Sequence, residues 1–78
     1  MDESYEQLLR DISQNIKNHR KNKKLTQEQM RDFNFNYRHY QKIESGNHAP
    51  SIQTLFRVAQ VFGIPIQDLF KKPENPDT

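Results

Sequence analysis

The stretch LTQEQMRDFNFNYRHYQKIESG, residues 25–46, decides the fold because it contains the start and stop signals of two short helices in succession. Thr26 and Gln29 have the spacing of a capping box, which predicts that a helix begins at Thr26. This helix should end by Phe33, since Asn34 tolerates the left-handed backbone conformation that tight turns require.

The helix that follows repeats these signals. Asn36 is a favourable N-cap, and the helix should stop at Ser45-Gly46, where glycine supplies a left-handed residue. Only residues 34–35 separate the two helices, which is typical of a helix-turn-helix, although many bundles that bind nothing also contain short joined helices. An apolar residue before each cap can pack back onto the new helix, in the pairs Leu25 with Met30 and Phe35 with Tyr40.

Helical periodicity continues on both sides of this stretch. A long first helix is predicted over residues 4–23, with an apolar stripe made of Tyr5, Leu8, Leu9, Ile12 and Ile16. Ser51 caps a fourth helix that Gly63 closes. Its apolar face is expected to comprise Ile52, Leu55, Val58, Ala59 and Phe62. Pro65 opens a short fifth helix with the apolar residues Ile66, Leu69 and Phe70.

The predicted fold class is therefore all-α, a compact arrangement of five helices. A chain of 78 residues holds one domain at most, which we place at residues 1–72. The tail, residues 73–78, is rich in proline and acidic residues and is expected to be disordered.

Charge is distributed unevenly along the chain. Residues 2–11 carry four acids against one base, whereas residues 17–42 carry eight bases against two acids, a net charge of +6. Such a segment suits a polyanion, because each neutralised phosphate releases condensed counterions. A solvated helix surface would show the same pattern, so charge alone leaves both interpretations open.

The third predicted helix has two distinct faces. Tyr40 and Ile43 point to one side and should be buried. The opposite side carries Arg38, Gln41, Lys42 and Ser45, with Tyr37 at its N-terminal tip. These guanidinium, amide and ammonium groups can contact base edges and phosphates in duplex DNA. The alternative interpretation is an ordinary solvated surface.

A set of residues spread over residues 12–70 occurs in one order and spacing. It comprises Ile16, Arg20, Leu25 to Glu28, Ile43 to Gly46, Pro50, Ser51, Leu55, Ala59, Gly63 to Ile66, Leu69 and Phe70. In this ordered set the chain resembles the phage repressor/Cro-type, or XRE-like, helix-turn-helix family. The resemblance implies a lambda-repressor-like domain. It further implies a regulator of transcription, a repressor or autoregulator, that places its third helix in the major groove of double-stranded DNA.

The resemblance also implies roles for individual residues. The expected base contacts are Asn36, Tyr37, Arg38 and Lys42. Gln27 matches a family glutamine that contacts a phosphate. The other expected phosphate contacts, which follow from charge and from the outward face of the helices, are Lys23, Lys24, Thr26, Gln41 and Ser45. Arg20 and Glu44 match a partly buried salt bridge between the first and third helices, the alternative being a surface ion pair worth about 0–1 kcal/mol. Asn36 could instead use its side chain for the cap alone.

Two departures from the family pattern affect these expectations. The segment between Met30 and Asn34 is one residue shorter than the family usually has, so the second helix loses its last position. Arg31 stands where the family prefers alanine, a small residue near the contact between the two helices. Either change could alter how the third helix is presented.

A homodimer is expected, because one recognition helix covers few base pairs and such regulators bind palindromic half-sites. The candidate interface is an apolar patch of Val61, Ile66 and Phe70, although Ile66 and Phe70 could instead complete the core. Tyr5, Leu8 and Leu9 form a second candidate interface.

A different class of function, the antitoxin or protein-interaction module of a toxin–antitoxin pair, would use the same spare apolar residues. Binding of single-stranded RNA through Tyr37, Tyr40 and Phe35 is a weaker alternative, because the core requires two of them.

Other chemistry is not indicated. The chain has no cysteine, its two glycines form no phosphate-binding loop, and His19, His39 and His48 lack metal-ligand spacing. We therefore expect no enzyme, no catalytic residue, no metal and no cofactor.

The acidic N-terminal residues lack an apolar stretch, and no segment has the roughly 20 apolar residues of a membrane helix. The expected location is the cytoplasm, in association with the nucleoid.

Overall fold

The chain folds into helices throughout residues 2–73, the part that this computed structural model describes, and no strand occurs there. Three α-helices and two 3-10 helices follow in the order α1 (Asp2–Asn22), η1 (Glu28–Phe33), α2 (Tyr37–Ile43), α3 (Ile52–Phe62) and η2 (Ile66–Leu69). The all-α class predicted from periodicity is confirmed. Of the tail expected to be disordered, residues 74–78 lie outside the described part.

Helix α1 extends beyond the core at its N-terminal end. It begins at Asp2, two residues before the predicted start, and among its described side chains Ile12 is the first apolar one to be buried. Tyr5 and Leu8 are 54% and 38% exposed, so only the C-terminal part of the predicted stripe faces the core. The reason is that no described element covers the first turns.

The second predicted helix is a 3-10 helix, η1, rather than an α-helix. Its six residues span about 12 Å in this conformation, whereas six α-helical residues would span about 9 Å. A larger rise per residue is the change expected for a segment that is one residue shorter than the family pattern. Helix η1 ends at Asn34, which has the predicted left-handed conformation at φ 70°.

Helix α2 begins as the capping signals predict. The Asn36 side-chain oxygen accepts a hydrogen bond from the backbone N–H of His39 at 3.0 Å. Phe35 precedes the cap and packs edge-on against Tyr40, with ring centroids 5.6 Å apart. The cap and the aromatic pair together fix the angle at which the chain enters α2.

Helix α3 and η2 complete the core. Ser51 caps α3 by accepting the Thr54 N–H at 3.1 Å. The buried apolar residues are Ile12, Ile16, Met30, Phe35, Tyr40, Ile43, Leu55, Val58, Ala59, Phe62 and Leu69. Asn15 of α1 donates from Nδ2 to the carbonyl oxygens of Leu69 and Lys71 at 2.9 and 2.6 Å, which fastens the C-terminal segment to α1.

One prediction about α3 is wrong. Ile52 was expected on the buried face, but it is 66% exposed. It is the first residue of α3, where no described element covers it. Phe56, one turn later, is also 52% exposed.

Gly63 offers a test of the α3 stop signal. Its φ is +69°, and a Cβ added there would meet no atom within 4 Å, so a substitution is resisted by backbone conformation alone. We expect Gly63→Ala to lower the free energy of unfolding by about 1–2 kcal/mol, and Gly63→Asn to lower it less, because asparagine tolerates this conformation. Urea unfolding would measure both; equal losses would contradict the explanation.

Candidate functional site

Helix α2 presents a polar face to solvent because its apolar face is fully buried. Tyr40 and Ile43 are 0% and 1% exposed. Arg38 and Lys42, which are four residues apart and therefore lie on one side of the helix, are both exposed. The exposed side of α2 thus carries two long cationic side chains one turn apart.

The two other expected base-contact residues stand at the N-terminal end of α2. Tyr37 is half-buried, whereas Asn36 is exposed. The Asn36 carboxamide oxygen already accepts the His39 N–H as the helix cap. A bidentate contact from Asn36 to adenine needs that same oxygen, so the cap and the base compete for it.

The connection between α1 and η1 carries a second group of exposed polar residues. Lys23, Lys24 and Thr26 are exposed there. The predicted capping box is formed, since the Thr26 N–H donates to the Gln29 side-chain oxygen at 2.8 Å and the Gln29 N–H donates to Thr26 Oγ1 at 3.1 Å. The Thr26 hydroxyl keeps its own hydrogen for an outside acceptor.

Two of the expected phosphate contacts have internal partners. Gln27 donates from Nε2 to Glu44 Oε1 at 3.0 Å, so its amide group turns towards the protein. The Ser45 hydroxyl lies 2.6 Å from the Lys42 carbonyl oxygen and 2.7 Å from Asn47 Oδ1, either of which can accept its single hydrogen. Gln41, by contrast, is exposed.

A buried ion pair joins α1 to the end of α2. Arg20 Nε lies 2.7 Å from Glu44 Oε2, and Arg20 Nη2 lies 3.2 Å from Glu44 Oε1, a two-bond arrangement. Arg20 Nη1 also donates to the Leu25 carbonyl at 2.7 Å. The two residues are only 8% and 4% exposed. Removing one partner from a pair this buried leaves an uncompensated charge.

The ionisation of this cluster follows from its contacts. Burial by itself would raise the pKa of the Glu44 carboxyl, but the hydrogen bonds from Arg20 and Gln27 and the nearby Tyr40 hydroxyl outweigh it, and the pKa is lowered. The hydrogen bond to Glu44 raises the pKa of Arg20 despite burial. Burial raises the pKa of Tyr40 far above its usual value. Its hydroxyl lies beside the Glu44 carboxylate without a hydrogen bond of standard geometry.

The three histidines do not meet at one site. His39 and His48 meet edge to face at 5.8 Å, whereas His19 stacks on Phe62 at 6.1 Å. Across residues 2–73 no group of three or more His, Cys, Asp or Glu side chains could hold a metal ion. In the same residues no helix is both long and apolar enough to cross a bilayer.

One contributor to the site was not anticipated from the sequence. The Arg57 guanidinium of α3 lies 4.5 Å above the centre of the Phe35 ring, and its Nη2 donates to the Asn34 carbonyl oxygen at 3.0 Å. Both partners belong to the turn between η1 and α2. Residues this far apart along the chain give no local signal of their contact.

Comparison with known proteins agrees with this geometry. A family model for helix-turn-helix domains matches residues 16–69, well over half of the chain. The match begins within α1 and ends at the last residue of η2. No curated protein and no solved structure matches the chain.

The ion pair can be tested by neutralising one partner. We expect Glu44→Gln to lower the free energy of unfolding by about 3–5 kcal/mol, because the Arg20 charge stays buried without its counter-charge. Glu28→Gln is the matched control at an exposed position and should change stability by less than about 0.5 kcal/mol. Chemical denaturation measures both, and similar small losses would show that the pair contributes little.

The pH dependence of stability has a defined sign. The folded state lowers the Glu44 pKa, so the contribution of this carboxylate is complete above the unfolded value of about 4.3 and is lost as the pH falls through the folded value. The stability difference between wild type and Glu44→Gln should therefore be constant from about pH 6 to pH 8 and shrink below about pH 4. Urea unfolding at each pH measures this difference; one that stays constant to about pH 3 argues against the assignment.

Proposed function

The chain belongs to the XRE-like helix-turn-helix family of DNA-binding regulators, and from that premise we propose that it binds specific sequences of double-stranded DNA with α2 in the major groove. The observation that carries the proposal is the division of α2 into two faces. Tyr40 and Ile43 hold the helix against the core, which leaves Arg38 and Lys42 on the opposite side, available to a ligand.

Base recognition centres on Arg38. Its guanidinium can donate two hydrogen bonds to O6 and N7 of a guanine, worth about 1–3 kcal/mol of discrimination against other bases. Lys42, one turn later, reaches a neighbouring base or phosphate. Tyr37 offers its ring edge to a sugar or a thymine methyl, and Asn36 contributes mainly the cap that orients the helix.

Phosphate contacts supply affinity that is independent of base sequence. Lys23 and Lys24 provide the charge, and Thr26 provides a hydroxyl donor at the start of the helix-turn-helix. Gln41 lies in the C-terminal half of α2 and Ser45 lies two residues beyond its end. Gln27 contributes its backbone N–H, while its side-chain amide donates to Glu44. Because these contacts displace counterions, the binding constant should fall steeply as salt rises.

We propose that the protein acts as a homodimer that represses transcription, including that of its own gene. A helix of seven residues contacts few base pairs, whereas two copies about 34 Å apart would contact successive major grooves. Val61 and Ile66 pack partly against the core, so Phe70, 39% exposed, is the main free member of the expected patch. Ile52 and Phe56 offer a larger exposed apolar surface on α3.

A protein partner, as for an antitoxin, is the second candidate function. It is favoured by the first turns of α1, which precede the family match and expose Tyr5 and Leu8. The two functions are compatible, because the residues of this surface are not among those proposed to contact DNA. In either case we propose a cytoplasmic protein associated with the nucleoid that carries no catalytic activity.

The proposal is tested by two substitutions with different expected signatures. Selecting bound sequences from a random duplex library gives the operator. Arg38→Ala should then lose about 1–3 kcal/mol of discrimination at one base position, because the bidentate contact is removed. Lys23→Ala should weaken binding to all duplexes evenly and reduce the salt slope by about one unit. Fluorescence anisotropy at several salt concentrations measures both.

Lys71→Ala provides the matched control for charge. Lys71 is a cation of the C-terminal segment that pairs with Asp68 at 2.9 Å, and it follows η2, which packs on α1 and α3. Its removal should leave DNA affinity within about twofold of wild type. If neither Arg38→Ala nor Lys23→Ala alters DNA affinity, the proposed function is wrong.

A further inference from the structure

The turn of the helix-turn-helix is held from outside by a single side chain of α3. Arg57 makes two contacts with it, one to a backbone carbonyl and one to a ring. Its guanidinium plane can serve both at once, because the N–H groups point outward in the plane while the faces remain free for stacking. We propose that Arg57 is a positioning residue that sets the orientation of α2 and thereby its selectivity for DNA sequence, an inference that rests on the proposed function.

The carbonyl contact acts on the most constrained residue of the turn. Asn34 is one of two non-glycine residues with positive φ among those described, the other being Lys24. A non-glycine residue in this region is less stable than in the right-handed one, so a hydrogen bond that fixes the following peptide group helps to hold the turn in this conformation. The bond from Arg57 Nη2 to the Asn34 carbonyl oxygen, 3.0 Å, does so from a separate helix.

The contact between Arg57 and the Phe35 ring links the restraint on the turn to α2. Phe35 is 7% exposed, and its ring contacts both the Arg57 guanidinium, 4.5 Å from the ring centre, and the Tyr40 ring, with centroids 5.6 Å apart. Tyr40 belongs to the buried face of α2, and Asn36, the residue after Phe35, caps that helix. The orientation of the Phe35 ring is therefore coupled to the orientation of α2.

The unusual winding of η1 explains why this anchor is needed. A 3-10 run of six residues is long for its type, and its hydrogen-bond geometry is poorer than that of an α-helix. The segment before the turn is thus a weak restraint on the turn. Arg57 restrains the turn from α3. This helix is firmly packed, because Val58 and Ala59, which follow Arg57 in sequence, are buried.

Three variants separate positioning from simple charge. Arg57→Met keeps the apolar stem and removes the guanidinium. Arg57→Lys keeps the charge but loses the flat stacking surface, so it should restore only part of the effect. Lys71→Met removes one positive charge from the C-terminal segment and controls for long-range electrostatics. Circular dichroism first establishes that each variant is folded at the temperature of measurement.

Amide hydrogen exchange tests the anchor without DNA. We expect exchange at Asn34, His39 and Tyr40, whose N–H groups are hydrogen-bonded at the turn and in the first turn of α2, to be about tenfold faster in Arg57→Met than in wild type, since the local opening of the turn becomes easier. Exchange in α1 should be unchanged. Unchanged exchange at the turn, or faster exchange everywhere, would overturn the proposal.

DNA binding tests the consequence for selectivity. In Arg57→Met, affinity for the selected operator should fall about tenfold, the equivalent of one good base contact, while affinity for random duplex falls less than about twofold. Equal losses on both duplexes would identify Arg57 as a phosphate-binding cation and overturn the positioning role, as would no loss on either. If wild type itself does not discriminate between duplexes, the proposed function fails, and the exchange comparison alone decides whether Arg57 anchors the turn.

Discussion

The rest of the structure depends on the buried ion pair between Arg20 and Glu44. Glu44 follows the last residue of α2, and its carboxylate accepts hydrogen bonds from α1 through Arg20 and from the start of the helix-turn-helix through Gln27. The same guanidinium holds the Leu25 carbonyl, where the chain enters that motif. Three segments therefore meet at one carboxylate, and the short α2, which could not be stable alone, is fixed at its C-terminal end. Tyr40 and Ile43 then bury the inner face that this placement defines.

The features that could be predicted from the sequence are those fixed by local interactions. Caps at Asn36 and Ser51, the capping box of Thr26 and Gln29 and the left-handed stops all depend on residues within one turn of each other, so their signals are complete in the sequence. The wrong predictions concern which apolar side chains are buried. Periodicity places Ile52 and Tyr5 on apolar faces, but exposure depends on whether another element reaches that far. The 3-10 winding of η1 likewise depends on the distance between its fixed neighbours.

The candidate site divides in the same way. The residue types on the outward face of α2 follow from helical spacing, so Arg38 and Lys42 could be assigned before the structure was known. The hydrogen-bond partners could not be assigned from the sequence. Gln27, Ser45 and Asn36 each carry polar groups that can bond to a phosphate, to a base or to another part of the protein. In the structure all three have internal partners. Arg57 was missed because both of its contacts come from a turn more than twenty residues earlier in the chain.

Helix α1 separates opposite charges over a long distance. Its 21 residues span about 30 Å, with acids concentrated in its first half and Lys23 and Lys24 just beyond its last residue. Along this helix the charge therefore changes sign from one end to the other, although Lys72 lies 3.7 Å from Asp11. In the field of a DNA duplex such a molecule experiences a torque that turns its lysine end towards the phosphates before contact. Such a torque would favour encounters in which the lysine end approaches the duplex first.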